Sequence, residues 1–226
     1  MQENSFKFFT LNYWRSIDKK ILFCFLILFF LGLFFSFSST SSLAGERLNK
    51  DYYFFFTKHL IFTVLAISIM MIISFIRTEV LIKLVIPAFV VSFIFLAMVP
   101  IIGVEAKGAR RWLNLYFFNL QPVEILKPLF ILMTVKILTY KNFQNYHIKY
   151  LLSFILLSCV IILLIDQPDL GQSILLTSSW IATVFVSGVS LIYIGIFLAI
   201  FLILFSSLLF FLPEKFGYIT SRLISF

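Results

Sequence analysis

Long apolar runs alternate with short polar interruptions along the whole chain. Seven runs are long enough to cross a bilayer as helices, at about 20–37, 58–76, 81–102, 122–140, 150–165, 169–188 and 190–212. The polar run Ser38 to Ser42 closes the first, and Tyr52-Tyr53 suits the headgroup level where amphipathic rings are favoured. Arg77-Thr78-Glu79 predicts a tight polar turn into the third run, whose Pro87 and Pro100 are tolerated where neighbouring helices re-satisfy the backbone. A loop at 103–121 follows, and Lys141 to Lys149 is a short polar connection without an acid. At Asp166-Gln167-Pro168-Asp169 the proline disfavours helix at Gln167, while Asp169 with Gln172 has the form of a capping box opening the sixth run. The pattern predicts an all-α fold, a polytopic transmembrane helix bundle that takes up residues 1–226 as a single membrane domain.

Composition narrows this. With 62% hydrophobic and 12% charged residues, the chain falls outside the ordinary soluble classes. A net charge of +8 would point to nucleic acid in a soluble protein, but here the basic residues lie between apolar runs, so membrane lipids are the expected partners and nucleic acid is not. Cys24 and Cys159 both fall inside apolar runs and predict neither a disulfide nor a metal site. The basic lead of Lys7, Arg15, Lys19 and Lys20 resembles that of a signal peptide, but six further runs follow, so the first is read as a span, with cleavage near Ser42-Leu43-Ala44 as the alternative.

Counting Lys and Arg for an N-terminus on the inside gives nine on each face. Setting aside Lys107, Arg110, Arg111 and Lys127 as functional leaves nine against five and places the N-terminus in the cytoplasm. Whichever face is outer, Lys107, Arg110, Arg111, Glu124, Lys127, Asp166 and Asp169 come to the same one.

Candidate chemistry concentrates between Lys107 and Lys127. Lys107, Arg110 and Arg111 lead into Trp112, and Gln121-Pro122-Val123-Glu124 opens an apolar run, Pro122 to Leu138, of only about 25 Å as a helix, so Glu124 and Lys127 are drawn into the membrane. At i and i+3 they share a face and can neutralise each other, and Pro128 leaves the Glu124 carbonyl without its helical donor. Basic side chains at headgroup level beside a membrane carboxylate suit a lipid bearing phosphate. Arg clamps oxygens bidentately, Lys adds a point charge, and Trp112 anchors the loop or stacks on a sugar. Two readings remain open: that site, or bulk headgroup contacts plus an ion pair that merely ties helices together. Asp169 is expected to cap its helix, and Asp166 to bond the basic cluster. His59 and His147 lie far apart and predict no metal site. No cofactor is evident, although a divalent cation is compatible. The 31 phenylalanines are expected to face lipid, and Trp180 to pack.

At these residues the chain resembles the SEDS family (shape, elongation, division and sporulation), the FtsW/RodA/SpoVE group. The matching pieces are Lys107-Gly108-Ala109-Arg110-Arg111-Trp112, Gln121-Pro122-Val123-Glu124 with Lys127, and Gln167-Pro168-Asp169-Leu170-Gly171-Gln172. Ala44-Gly45-Glu46-Arg47-Leu48 and the run from Asp169 to Trp180 look more like the division branch. Val123 departs from the family's usual Ser and removes a hydroxyl. The resemblance implies a peptidoglycan glycosyltransferase that polymerises lipid II at the outer face of the bacterial cytoplasmic membrane, beside a class B penicillin-binding protein and other divisome proteins. It takes in all of this chain but about two thirds of a member, whose roughly ten spans exceed the seven counted here. The aspartate it assigns to catalysis is expected beyond Phe226, so the catalytic residue is unknown and polymerase activity is not expected of this chain alone. A lipid-linked-substrate flippase and a noncatalytic divisome scaffold are the rival readings.

Overall fold

The computed structural model describes residues 17–40, 53–106, 109–115, 118–140 and 146–211. Lys107, the Glu46 to Asp51 loop with the Ala44 to Leu48 match and the cleavage alternative, Lys141 to Asn145, and everything from Leu212 lie outside them. Among the described residues there are seven helices: α1 (Lys19–Thr40), α2 (Phe54–Ser74), α3 (Thr78–Ile102), α4 (Pro122–Leu138), α5 (Tyr146–Asp166), α6 (Leu170–Val186) and α7 (Leu191–Phe211). Four of them, α1, α2, α3 and α5, are long and apolar enough by themselves to cross a membrane. Helices α4 and α6 are 17 residues each.

The contacts divide the chain into two compact units, Met1–Val80 and Leu81–Phe226. In the first, α1 packs on α2 through aromatic rings, Phe37 lying 5.4 Å from Phe56 and 6.3 Å from Tyr53. Asp18 caps α1, its carboxylate accepting the Lys20 N–H at 2.9 Å and the Ile21 N–H at 3.3 Å. The turn after α2 falls at Phe75 to Arg77, so Thr78 and Glu79 already belong to α3, where Glu79 faces the positive end of the helix dipole.

In the second unit the core runs through four helices. Phe89 and Leu96 of α3, two turns apart, are buried with Val123, Leu126 and Phe130 of α4, Leu157, Ile161 and Leu164 of α5, and Leu176, Trp180 and Val184 of α6, the last three sets recurring every three or four residues. Trp180 packs, as its position in an apolar run led one to expect; its ring lies 5.8 Å from Phe154 and its Nε1–H donates to Ser153 Oγ at 3.2 Å. Phenylalanines do line the outside, as Phe23 and Phe30 do, but Phe89, Phe130 and Phe154 are core residues.

The described residues of the loop at 103–121 are largely extended strand. They form a three-stranded antiparallel sheet of β1 (Val104–Ala106), β2 (Ala109–Asn114) and β3 (Asn119–Leu120), in the order β1-β2-β3. Glu105 pairs with Arg110 across β1 and β2, and Leu113 with Leu120 across β2 and β3. The period-two signal is there in Ala109 and Leu113, both buried, but charged neighbours mask it in so short a run.

Candidate functional site: a polar cluster at the hairpin end of the second unit

The site is assembled from a defect in α3. Pro100 has no N–H, so the carbonyl of Leu96, four residues back and fully buried, loses its helical donor. The Gln167 side chain supplies one, its Nε2 donating to Leu96 O at 3.0 Å from 71 residues further on. Gln167 is itself only 3% exposed, so this bond ties the corner between α5 and α6 to α3 in a place where neither group has water as an alternative.

That corner presents its outer atoms to β2. Arg111 donates from Nε to the Gln167 carbonyl at 3.3 Å and from Nη2 to the Pro168 carbonyl. Its Nε also lies 3.8 Å from Asp169 Oδ2, with the arginine side chain 26% exposed and the aspartate 9%. Gln121, just before α4, donates to the same carboxylate oxygen at 3.2 Å. Asp169 therefore stands at the N-cap position of α6 without capping it: no side-chain cap bond forms, and the capping box expected with Gln172 is absent. The reason is competition, since a guanidinium and an amide within reach of a buried carboxylate bind it better than a single backbone N–H. The Asp169 carbonyl still accepts the first bond of the helix, from the Ser173 N–H, and the Ser173 hydroxyl donates to it as well.

On α4 the i, i+3 pair forms. Lys127 Nζ is 2.7 Å from Glu124 Oε2, with Lys127 18% exposed and Glu124 52%. The other Glu124 oxygen accepts from Gln172 Nε2 at 3.0 Å, so the side chain expected in a cap links α6 to α4 instead. Gln172 Oε1 is buried and without a partner among the described residues. An apolar groove of about 490 Å³, whose lining does not include this pair, runs between α3 and α4, from Pro122 and Ile125 past Phe95, Val91 and Ala88 to Leu84.

Alternation along β2 separates the two arginines. Arg111 lies with buried Ala109 and Leu113, whereas Arg110 and the 38%-exposed Trp112 are on the opposite, exposed face. Arg110 stands 3.7 Å from Glu105 across the hairpin, both half exposed. Together with Asp166, Ala109, Pro100 and Pro168 they line a second cavity of about 280 Å³. Asp166 thus comes to the Arg110 side and Asp169 to the Arg111 side. Arg111 is committed to two carbonyls and a carboxylate, whereas Arg110 and Lys127 are each paired with one carboxylate.

Sequence reasoning passed over Gln167, Gln172 as a bridge, and Glu105. Pro100 was the available signal for Gln167, since an interior proline announces an orphan carbonyl four residues back. Val123, where the family's Ser would stand, is buried in the core at 1% exposure.

A family model described as cell cycle protein, covering FtsW, RodA and SpoVE, matches residues 18–226. A protein named probable peptidoglycan glycosyltransferase FtsW from Caulobacter vibrioides is 30% identical over 80% of this chain and 47% of its own. One of the same name from Wigglesworthia glossinidia brevipalpis is 32% identical over 77% of this chain and 46% of its own. The chain spans about half the length of the curated relatives it matches. Among solved structures, a chain from a peptidoglycan synthase complex aligns with TM-score 0.70 at 23% identity, over 92% of this chain and 58% of that one. The rod shape determining protein RodA of Thermus thermophilus aligns with TM-score 0.57 at 25% identity, over 76% and 58%. The helical fold, the multi-pass membrane character and the match over nearly the whole described length have one reading: the chain belongs to the FtsW, RodA and SpoVE family of bacterial cell cycle proteins.

Proposed function

We propose that this chain carries the lipid-diphosphate-binding part of a peptidoglycan glycosyltransferase of the cell-division type, which uses lipid II. The observation behind this reading is that the Glu124 and Lys127 pair, bridged to Gln172 of α6, sits on the first turns of α4, the same end of the helix at which Pro122 and Ile125 begin the apolar groove against α3. A lipid whose long chain lies in the groove carries its diphosphate to Lys127, with Arg110 on the neighbouring hairpin as a second cation. Glu124 holds the lysine in place and keeps it from drawing bulk headgroups. Trp112, exposed beside Arg110, offers a ring face to a sugar. The site lies at the outer face of the cytoplasmic membrane in this reading, with the N-terminus inside. The partner, a class B penicillin-binding protein, is proposed on the family resemblance.

The test is lipid II binding by the chain reconstituted in phosphatidylcholine nanodiscs. Lys127→Ala is expected to weaken binding by about tenfold or more, the worth of one charge-assisted contact in a partly buried site. Retained affinity in that variant, with wild-type binding intact, would place the diphosphate elsewhere.

A further inference from the structure

Two features meet at the corner between α5 and α6. Pro100 frees one carbonyl of α3 just before the helix ends, and the ladder resumes at once, Gly103 N–H donating to Val99 O at 2.8 Å. Gln167 fills that single gap from outside the helix. The same residue's backbone carbonyl accepts from Arg111, and the next carbonyl, that of Pro168, accepts the second arm of the guanidinium. One amino acid therefore faces α3 with its side chain and β2 with its main chain. The height of the corner against α3 sets where Arg111 sits, and Arg111 sets where β2 carries Arg110 and Trp112 on its other face.

We propose that Gln167 is a positioning residue for the lipid-diphosphate site, a reading that rests on the function proposed above. It touches no substrate. It fixes the hairpin, and through it Arg110 and Trp112, at one height against the end of α3 and the α5–α6 corner. Pro100 is the other half of the device, because an ordinary residue there would give the Leu96 carbonyl its helical donor and make the glutamine's bond dispensable.

The pairing allows stability and positioning to be separated. Gln167→Ala strands the Leu96 carbonyl. Adding Pro100→Ala gives that carbonyl its helical donor back without restoring the tie to the corner. In nanodiscs, Gln167→Ala is expected to lower the melting temperature by about 3–6 °C. It should weaken lipid II binding by about fivefold and shift or broaden the fluorine resonance of 5-fluorotryptophan at position 112, assigned by Trp112→Phe. The double variant is expected to melt within about 2 °C of the wild type while affinity and resonance stay as in the single variant. A double variant that recovers all three, or a single variant that changes melting alone, overturns the proposal. Should the wild type bind no lipid II, the function reading fails. The resonance then decides: unmoved by Gln167→Ala, it overturns the positioning role as well.

Discussion

At the scale of single residues, two neighbouring arginines have opposite assignments. Arg111 is a strut between β2 and the α5–α6 corner, with three oxygens around one guanidinium. Lysine carries the charge but not the fork, so Arg111→Lys is expected to lose about 1–3 kcal/mol of stability, read as a lower unfolding midpoint in detergent. Arg110 pairs with Glu105 at an exposed surface where such pairs contribute little. Arg110→Ala should leave the midpoint within about 0.5 kcal/mol of the wild type and weaken lipid II binding in the nanodisc assay. The sequence made the charges legible but not their partners. Adjacent arginines read as a pair until strand alternation sends them to opposite faces. Asp169 read as a cap because the spacing to Gln172 is right, and nothing local announces that Arg111, 58 positions earlier, outbids the backbone.

At the scale of elements, helices declared themselves by length and hydropathy, whereas the hairpin did not. Strands of three and two residues fall below what a period-two pattern can establish, and in the six residues of β2 adjacent arginines break the alternation. Helix starts moved for a related reason. Tyr146, His147 and Lys149 read as connection because they are polar or amphipathic, yet they form the first turn of α5, where His147 packs 5.4 Å from Tyr193. Packing between α5 and α6 rests on Trp180, whose ring sits among Phe154 and Phe197 and whose indole N–H finds Ser153. Trp180→Phe keeps most of the area but leaves Ser153 without that donor. We expect a loss of about 1–2 kcal/mol by thermal unfolding, and a larger loss for Trp180→Ala, which also opens a cavity.

At the scale of the molecule, the core was the least legible feature. In a soluble protein the buried face stands out against polar surroundings, but here Leu132 and Val135, which are exposed, are as apolar as Leu126 and Phe130, which are not. Only close approach decides which face of α4 is inside. Polar residues inside the apolar runs, and the interior proline, were the better guides, since each needs or frees a partner and the partners are few; Pro100, Gln121, Glu124 and Gln172 mark places where separate elements are tied to one another.

The unequal lengths of the helices bear on the surrounding bilayer. With 17 residues each, α4 and α6 reach about 25 Å, while the 25 residues of α3 reach about 37 Å. A hydrocarbon layer of ~30 Å is too thick for the first pair and too thin for the third unless it tilts. The bilayer beside the short pair is expected to thin locally toward Glu124 and Lys127. The same chain in short-chain phosphatidylcholine should accordingly unfold at a higher temperature than in long-chain phosphatidylcholine, and its distribution between coexisting thin and thick membrane regions should favour the thin.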